Sequence, residues 1–162
     1  MVLFRFPSLM TPFRSIAWLI LKVKIRREFP SVKQLDCQTL AHWLEHDAGN
    51  IQLIDTRQKE EFLVSHLPEA EPIPDLATAK ATLNPEQPIV AYCSVGYRSS
   101  RLAEQLQTLG YNQIWNLEGS IFQWANEGRP LVNHQQPTRT VHPYSKNWQW
   151  LLKETFHGTS VH

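Results

Sequence analysis

The chain has 162 residues, 42% of them hydrophobic and 19% charged, with a formal net charge of +1. That length holds one domain with its own core plus tails, and the near-zero charge excludes a general nucleic-acid binder. No run reaches the roughly 18 apolar residues of a membrane-spanning helix, and two distant cysteines, Cys37 and Cys93, exclude a disulfide framework and point to a reducing, cytoplasmic compartment.

The charge is unevenly spread. Residues 1–33 hold Arg5, Arg14, Lys22, Lys24, Arg26, Arg27 and Lys33 against Glu28 alone, about +6, so the remainder sums to about −5. Ile16 to Leu21 is a short apolar run that passes into alternating basic and apolar residues before Pro30. Residues 1–31 therefore form a basic amphipathic segment, for which two expectations stand. Residues 1–29 lie on an anionic membrane surface, peripheral to it and anchored by Phe4, Phe6, Phe13 and Trp18, or a helix packs on the domain with its cations in water.

From Val32 to Val132 short strands and helices alternate. "SVKQL" (residues 31–35) is a candidate edge strand, and Asp36 fits an N-cap for a helix with Leu40, Trp43 and Leu44 on one face. Asn50 to Asp55 reads as a buried strand, Glu60 to His66 as a short helix closed by Pro68, Ala70 to Ile73 as a strand and Asp75 to Leu83 as a helix. "PIVAYC" (Pro88 to Cys93) is the clearest core strand. Ser99 to Leu109 has helical spacing and stops at Gly110; "QIWNL" is a last strand and Gly119 to Glu127 a last helix. In the extension 133–162, Trp148, Leu151, Leu152 and Phe156 recur at helical spacing, which predicts a short aromatic helix over Tyr144 to Phe156 docked on the domain. Strands alternating with helices imply an α/β domain, with a largely parallel sheet covered on both faces and its chemistry at the carboxyl ends of the strands.

Cys93 stands at such an end. A thiol there lies near unpaired N–H groups and the positive end of the following helix, which favour the thiolate and hold its pKa below the usual ~8.5. Gly96 permits a positive φ, so that loop amides converge into an anion cradle. Arg98 adds charge to the cradle or braces the loop from behind, and Ser99 and Ser100 are placed to cap the helix. Only Ser94, Val95, Gly96 and Tyr97 separate Cys93 from Arg98, one residue fewer than in a phosphatase loop. The cradle is thus narrower, suited to one extra sulfur rather than to a phosphoryl group. Tyr92 also precedes Cys93, where phosphatases carry histidine.

With these residues in hand, the sequence resembles a single-domain rhodanese, a sulfurtransferase family. The motifs are "LIDTRQKEEF" (Leu53 to Phe62), "HLPEA" (His66 to Ala70), "IVAYCSVGYRSSRLAEQLQTLGY" (Ile89 to Tyr111) and "NLEGSIFQWANEGRPL" (Asn116 to Leu131). The resemblance covers residues 32–132 and implies a three-layer fold with a central five-stranded parallel sheet. It implies Cys93 as the catalytic nucleophile, taking sulfane sulfur from a donor such as thiosulfate, becoming a persulfide and passing sulfur to a thiol or cyanide acceptor. The loop Ser94, Val95, Gly96, Tyr97, Arg98 and Ser99 would hold the substrate, with no cofactor. The family often has glycine where Ser65, Glu69 and Ser120 stand here. Well-known thiosulfate users also carry more positive charge in the loop, so thiosulfate is expected to be a poor donor.

Supporting roles are expected nearby. Asp55 orients a site group or the loop arginine, or else caps its turn; Arg57 with Glu60 or Glu61 resembles the family's structural ion pair, which implies an architectural role; His66 satisfies backbone groups in a turn. Tyr97 lines the entrance, Phe122 and Trp124 fill core, and Cys37 is inert. No cluster with metal-ligand spacing and no glycine-rich nucleotide loop is evident. The competing functions are a non-catalytic persulfide carrier or docking module, and a cysteine phosphatase or arsenate reductase that the short loop disfavours.

Overall fold

A computed structural model describes residues 10–157. It begins with the helix α1 (Met10–Glu28), followed by β1 (Lys33–Leu35), α2 (Cys37–Asp47), β2 (Gln52–Asp55), α3 (Lys59–Val64), β3 (Glu71–Pro72) and α4 (Leu76–Thr82). Next come β4 (Ile89–Tyr92), α5 (Tyr97–Thr108), β5 (Ile114–Leu117), α6 (Ser120–Asn126), β6 (Leu131–Asn133) and β7 (Gln136–Thr138). Five strands form one parallel sheet in the order β1-β5-β4-β2-β3. Helices cover both faces, α4 beside α5 and α2 beside α6.

All four residues of β4 are buried, as a central parallel strand covered on both faces requires. The predicted cap holds, Asp36 accepting from the Thr39 amide at 2.7 Å, and Asp75 caps α4 in the same way, accepting from the Thr78 amide at 2.8 Å. The short strands β1 and β3 form the sheet edges. The polar stretch after Pro130 is an antiparallel hairpin, β6 with β7, turning through His134 and Gln135 at φ 45° and 64°. Its strands are three residues each, too short to leave an alternation in the sequence.

Helix α1 and the C-terminal extension both contribute to the core. Trp18, Leu21, Ile25 and Phe29 of α1 are buried together with Leu151, Leu152 and Phe156 of the extension. The expectation of a packed N-terminal helix is met, and Trp18 is corrected from interfacial anchor to core residue, its indole N–H donating to the Leu151 carbonyl at 3.3 Å. Phe4 and Phe6 lie outside the described residues. No helix among the described residues is long and apolar enough to cross a membrane.

The predicted aromatic helix is also corrected. Tyr144 to Phe156 contains two single 3₁₀ turns, Gln149–Leu151 and Glu154–Phe156, separated by Leu152 and Lys153 in extended conformation. Its turns close their own short bonds, the Leu151 amide to the Trp148 carbonyl and the Phe156 amide to the Lys153 carbonyl, both at 3.0 Å, while neighbours take other groups: Asn126 Nδ2 donates to the Leu151 carbonyl and Arg14 Nε to the Trp150 carbonyl. The apolar spacing was that of a segment wedged against α1 and α6, and i, i+3, i+4 contacts arise there as well as on a helix.

Candidate active site

The chain leaves β4 at Tyr92 and turns through Cys93 to Gly96 before entering α5. Gly96 is the N-cap, at φ 109°, and its amide donates to Cys93 Sγ at 3.1 Å. A side chain at this position would be strained and would press on Asn116 Nδ2 at 3.1 Å. α5 starts earlier than the apolar spacing indicates, so Ser99 and Ser100 lie inside its first turn and do not cap it. Ser99 Oγ donates to Asn116 Oδ1 at 2.6 Å and Ser100 Oγ to the Gly96 carbonyl at 2.7 Å.

The loop is held from below by α6. The amides of Ile121 and Phe122 donate to the carbonyls of Cys93 and Ser94, both at 3.1 Å. Ser120 Oγ accepts the Cys93 amide at 3.1 Å and donates to the Leu117 carbonyl at 3.0 Å. Ser120 and Glu69 stand at φ 50° and 63°, a conformation that favours glycine. Ser120 keeps it because its hydroxyl ties the end of β5 to the root of the loop.

Cys93 is 1% exposed and reachable from a cavity of about 250 Å³. Burial pushes its thiol up. The Arg98 charge, the neighbouring Ser99 and the Gly96 amide outweigh that push and hold it below the ordinary thiol value. Cys37 is the opposite case: burial drives its thiol up to about 12, which makes it inert, as expected.

Arg98 braces the loop through a partner 37 residues away. Its guanidinium grips the Glu61 carboxylate with Nη1 to Oε2 at 2.7 Å and Nη2 to Oε1 at 2.8 Å, and also donates to Ser94 Oγ at 3.0 Å. Burial pushes the Glu61 carboxyl up, but Arg98 and the Gln58 amide hold it below its usual value. The expected pairing of Arg57 with Glu60 or Glu61 is therefore corrected. Arg57 is fully buried and binds Asp55, Nε to Oδ1 at 2.9 Å and Nη2 to Oδ2 at 2.7 Å, with the Ser65 carbonyl taking a further bond at 2.6 Å. Asp55 orients Arg57, not the loop arginine, and also accepts the Arg57 amide at 3.0 Å in its turn. This pair stiffens the end of β2 next to the loop. Nη1 of Arg57 has no partner among the described residues.

Tyr97 lines the cavity as expected, and Phe122 and Trp124 are core. His66 meets its expected role, with Nδ1 against the Phe62 carbonyl at 3.1 Å and its backbone bridged to Val132. Ser94, Val95, Tyr97 and Arg98 form the inner wall; Leu21 and Lys24 of α1 and Tyr144 and Trp148 of the extension form the outer one. Arg98 lies over the Tyr144 ring, 4.6 Å from its centroid. Sequence reasoning missed Glu61 as the partner of Arg98, Asn116 and Ser120 beneath the loop, and the whole outer wall. The family motifs around Glu61, Asn116 and Ser120 were signals of a kind; the outer wall left none.

One cluster contradicts the expectation of no metal-ligand spacing. His42, Glu45 and His46, on an exposed turn of α2, bring one ligand atom each within 4.8 Å of one another. A helical turn does this automatically for residues at i, i+3 and i+4. None of the three lines the cavity at Cys93.

Comparison with known proteins agrees with this geometry. The family model described as "Rhodanese-like domain" matches residues 39–127. A protein named sulfurtransferase from Allochromatium vinosum is 29% identical over 103 residues, covering 62% of this chain and 95% of that protein. A tRNA uridine(34) hydroxylase from Escherichia coli is 25% identical over 129 residues, 68% of this chain but only 37% of that longer protein. Among solved structures, a rhodanese-like domain protein from Staphylococcus aureus superposes with a TM-score of 0.54 at 27% identity, over 64% of this chain and all of that one. Matched by that model over more than half its length, the chain belongs to the rhodanese-like domain family, whose relatives support sulfur transfer as its general chemistry.

Proposed function

We propose that the protein is a sulfurtransferase that moves sulfane sulfur from a donor such as thiosulfate to a thiol or cyanide acceptor through a persulfide on Cys93. The Cys93 thiolate attacks the outer sulfur of the donor, the donor's S–S bond breaks, and the remainder departs with the bonding electron pair. The acceptor then attacks the outer sulfur of the persulfide and frees the thiolate. The observation that carries this proposal is a buried sulfur, held below its ordinary pKa, at the floor of an open cavity. The same cationic and amide surroundings would stabilise charge on the added sulfur. A reducing, cytoplasmic compartment suits such a thiol, which oxidation would otherwise consume.

Intact-mass measurement after incubation with thiosulfate, polysulfide and organic donors tests the proposal. One added sulfur, absent from Cys93→Ala, is expected, with turnover of cyanide to thiocyanate. A stoichiometric persulfide without turnover would identify a carrier instead. No added sulfur from any donor would falsify the assignment.

A further inference from the structure

The cavity over Cys93 has two origins. Its inner wall is the loop, but Leu21, Lys24, Tyr144 and Trp148 all lie outside residues 39–127, the segment shared with the family. The volume, about 250 Å³, is the space of roughly eight waters. A small inorganic anion leaves most of it vacant. Apolar and aromatic side chains, Leu21, Val95, Tyr97, Tyr144 and Trp148, make up most of the lining.

Charge points the same way. The Arg98 charge is matched by the bidentate Glu61 carboxylate. That leaves Lys24, which has no acidic partner among the described residues, as the second cation on the wall. With Cys93 itself a thiolate, a dianion such as thiosulfate meets too little positive charge in a cavity of low dielectric.

Resting on the sulfurtransferase proposal, we infer that the preferred donor is a singly charged organic sulfane compound, a persulfide or thiosulfonate whose apolar body fills the space between Leu21 and Trp148. For a thiosulfonate the step balances without any added oxidant or reductant. The Cys93 thiolate attacks the terminal sulfur of R–SO₂–S⁻, one sulfur–sulfur bond forms as another breaks, and the sulfinate R–SO₂⁻ leaves with the electron pair. For a persulfide the leaving group is the thiolate R–S⁻.

The test measures the rate of persulfide formation on the full chain with benzenethiosulfonate, methanethiosulfonate and thiosulfate. The phenyl compound should exceed the methyl compound, and Trp148→Ala should lower its second-order rate by about fivefold to tenfold. The same variant should slow methanethiosulfonate and thiosulfate by less than it slows the phenyl compound, so that the phenyl-to-methyl rate ratio falls. Lys24→Gln should slow both thiosulfonates. Iodoacetamide reactivity of Cys93 and the unfolding midpoint report that each variant is folded. Equal rates for phenyl and methyl donors, or a Trp148→Ala loss shared equally by all three, overturns the inference while the sulfurtransferase proposal stands. Failure of every donor to load Cys93 overturns both.

A different observation carries a second inference. Phe13, Ile16, Leu19 and Ile20 stand 73%, 56%, 63% and 64% exposed on α1, with Val23 continuing the row. From Met10 to Arg27 the sequence has five basic residues and no acidic one. Lys22 and Arg26 are bound to Glu118, which leaves Lys24 and Arg27 without acidic partners among the described residues. We infer that this face rests on an anionic lipid surface, apolar side chains in the acyl boundary and free cations among the headgroups.

Sedimentation of the full chain with phosphatidylcholine vesicles, with and without phosphatidylglycerol, tests it. Binding should require the anionic lipid, weaken in high salt, and fall at least about tenfold in Leu19→Glu/Ile20→Glu. Equal binding by that variant, or no binding at all, refutes the inference. So does a dimer in solution that the variant dissociates, since the face would then belong to a second copy.

Discussion

At the scale of single residues, one carboxylate governs the charge of the Cys93 loop. Glu61 takes both forks of Arg98 and so fixes where the guanidinium charge sits relative to Cys93. The Arg98 charge in turn helps hold the thiol below its ordinary value. Alkylation of Cys93 measured against pH should therefore titrate below the usual thiol range, and Arg98→Met should move the midpoint up while Arg98→Lys restores part of it. The sign for stability follows from linkage: the depressed thiol adds stability above its ordinary pKa, and that share is lost as pH falls through the depressed one. Asp55 and Arg57 obey different energetics. Both are fully buried, so removing one partner strands the other charge. Asp55→Ala should cost about 3–5 kcal/mol in urea unfolding, and adding Arg57→Met should recover much of the loss.

At the scale of elements, the loop is a joint between β4, α5 and α6, and its weakest tolerances are at backbone positions. Gly96→Ala should cost about 1–2 kcal/mol from the left-handed conformation alone. Its crowding against Asn116 should also disturb the amide bonded to sulfur, seen as an upward move in the thiol titration. Ser120 separates two opposed effects. Ser120→Gly relieves the positive φ but loses the acceptor for the Cys93 amide, so its unfolding midpoint should stay close to the parent's. Ser120→Ala keeps the strain and loses the bond, and should cost about 1–3 kcal/mol. The strand, loop and helix around Cys93 were legible in sequence because each is specified by neighbours: a run of buried residues, a glycine, an amphipathic repeat. Glu61 was not assigned to Arg98 because nothing local distinguishes it from Glu60. Only the turn of α3 decides which one reaches the loop. The C-terminal segment misled for a related reason, since spacing reports which residues are buried and not whether the backbone between them closes its own hydrogen bonds.

At the scale of the whole molecule, α1 and the C-terminal extension are part of the structure that holds the domain together. Trp18, Leu21, Ile25 and Phe29 are buried against the domain, and at about 1.5–3 kcal/mol for each such side chain their loss is comparable to the total stability of a domain this size. Deletion of residues 1–29 should therefore unfold or aggregate the protein, as read by calorimetry and size-exclusion chromatography. A stable truncated domain of unchanged midpoint would show that α1 is an accessory. The outer wall of the cavity was illegible for a reason of distance: Lys24 and Trp148 are separated by most of the chain, and neither segment carries a local pattern that announces a pocket.

That separation has a consequence for biosynthesis. Tyr144 and Trp148 are made after every strand of the parallel sheet, so a nascent chain can form its cysteine loop while the side facing them is still uncovered. Without those aromatics one side of the cavity is open, and a released chain ending before residue 140 should be labelled at Cys93 by reagents too bulky to enter the full-length protein.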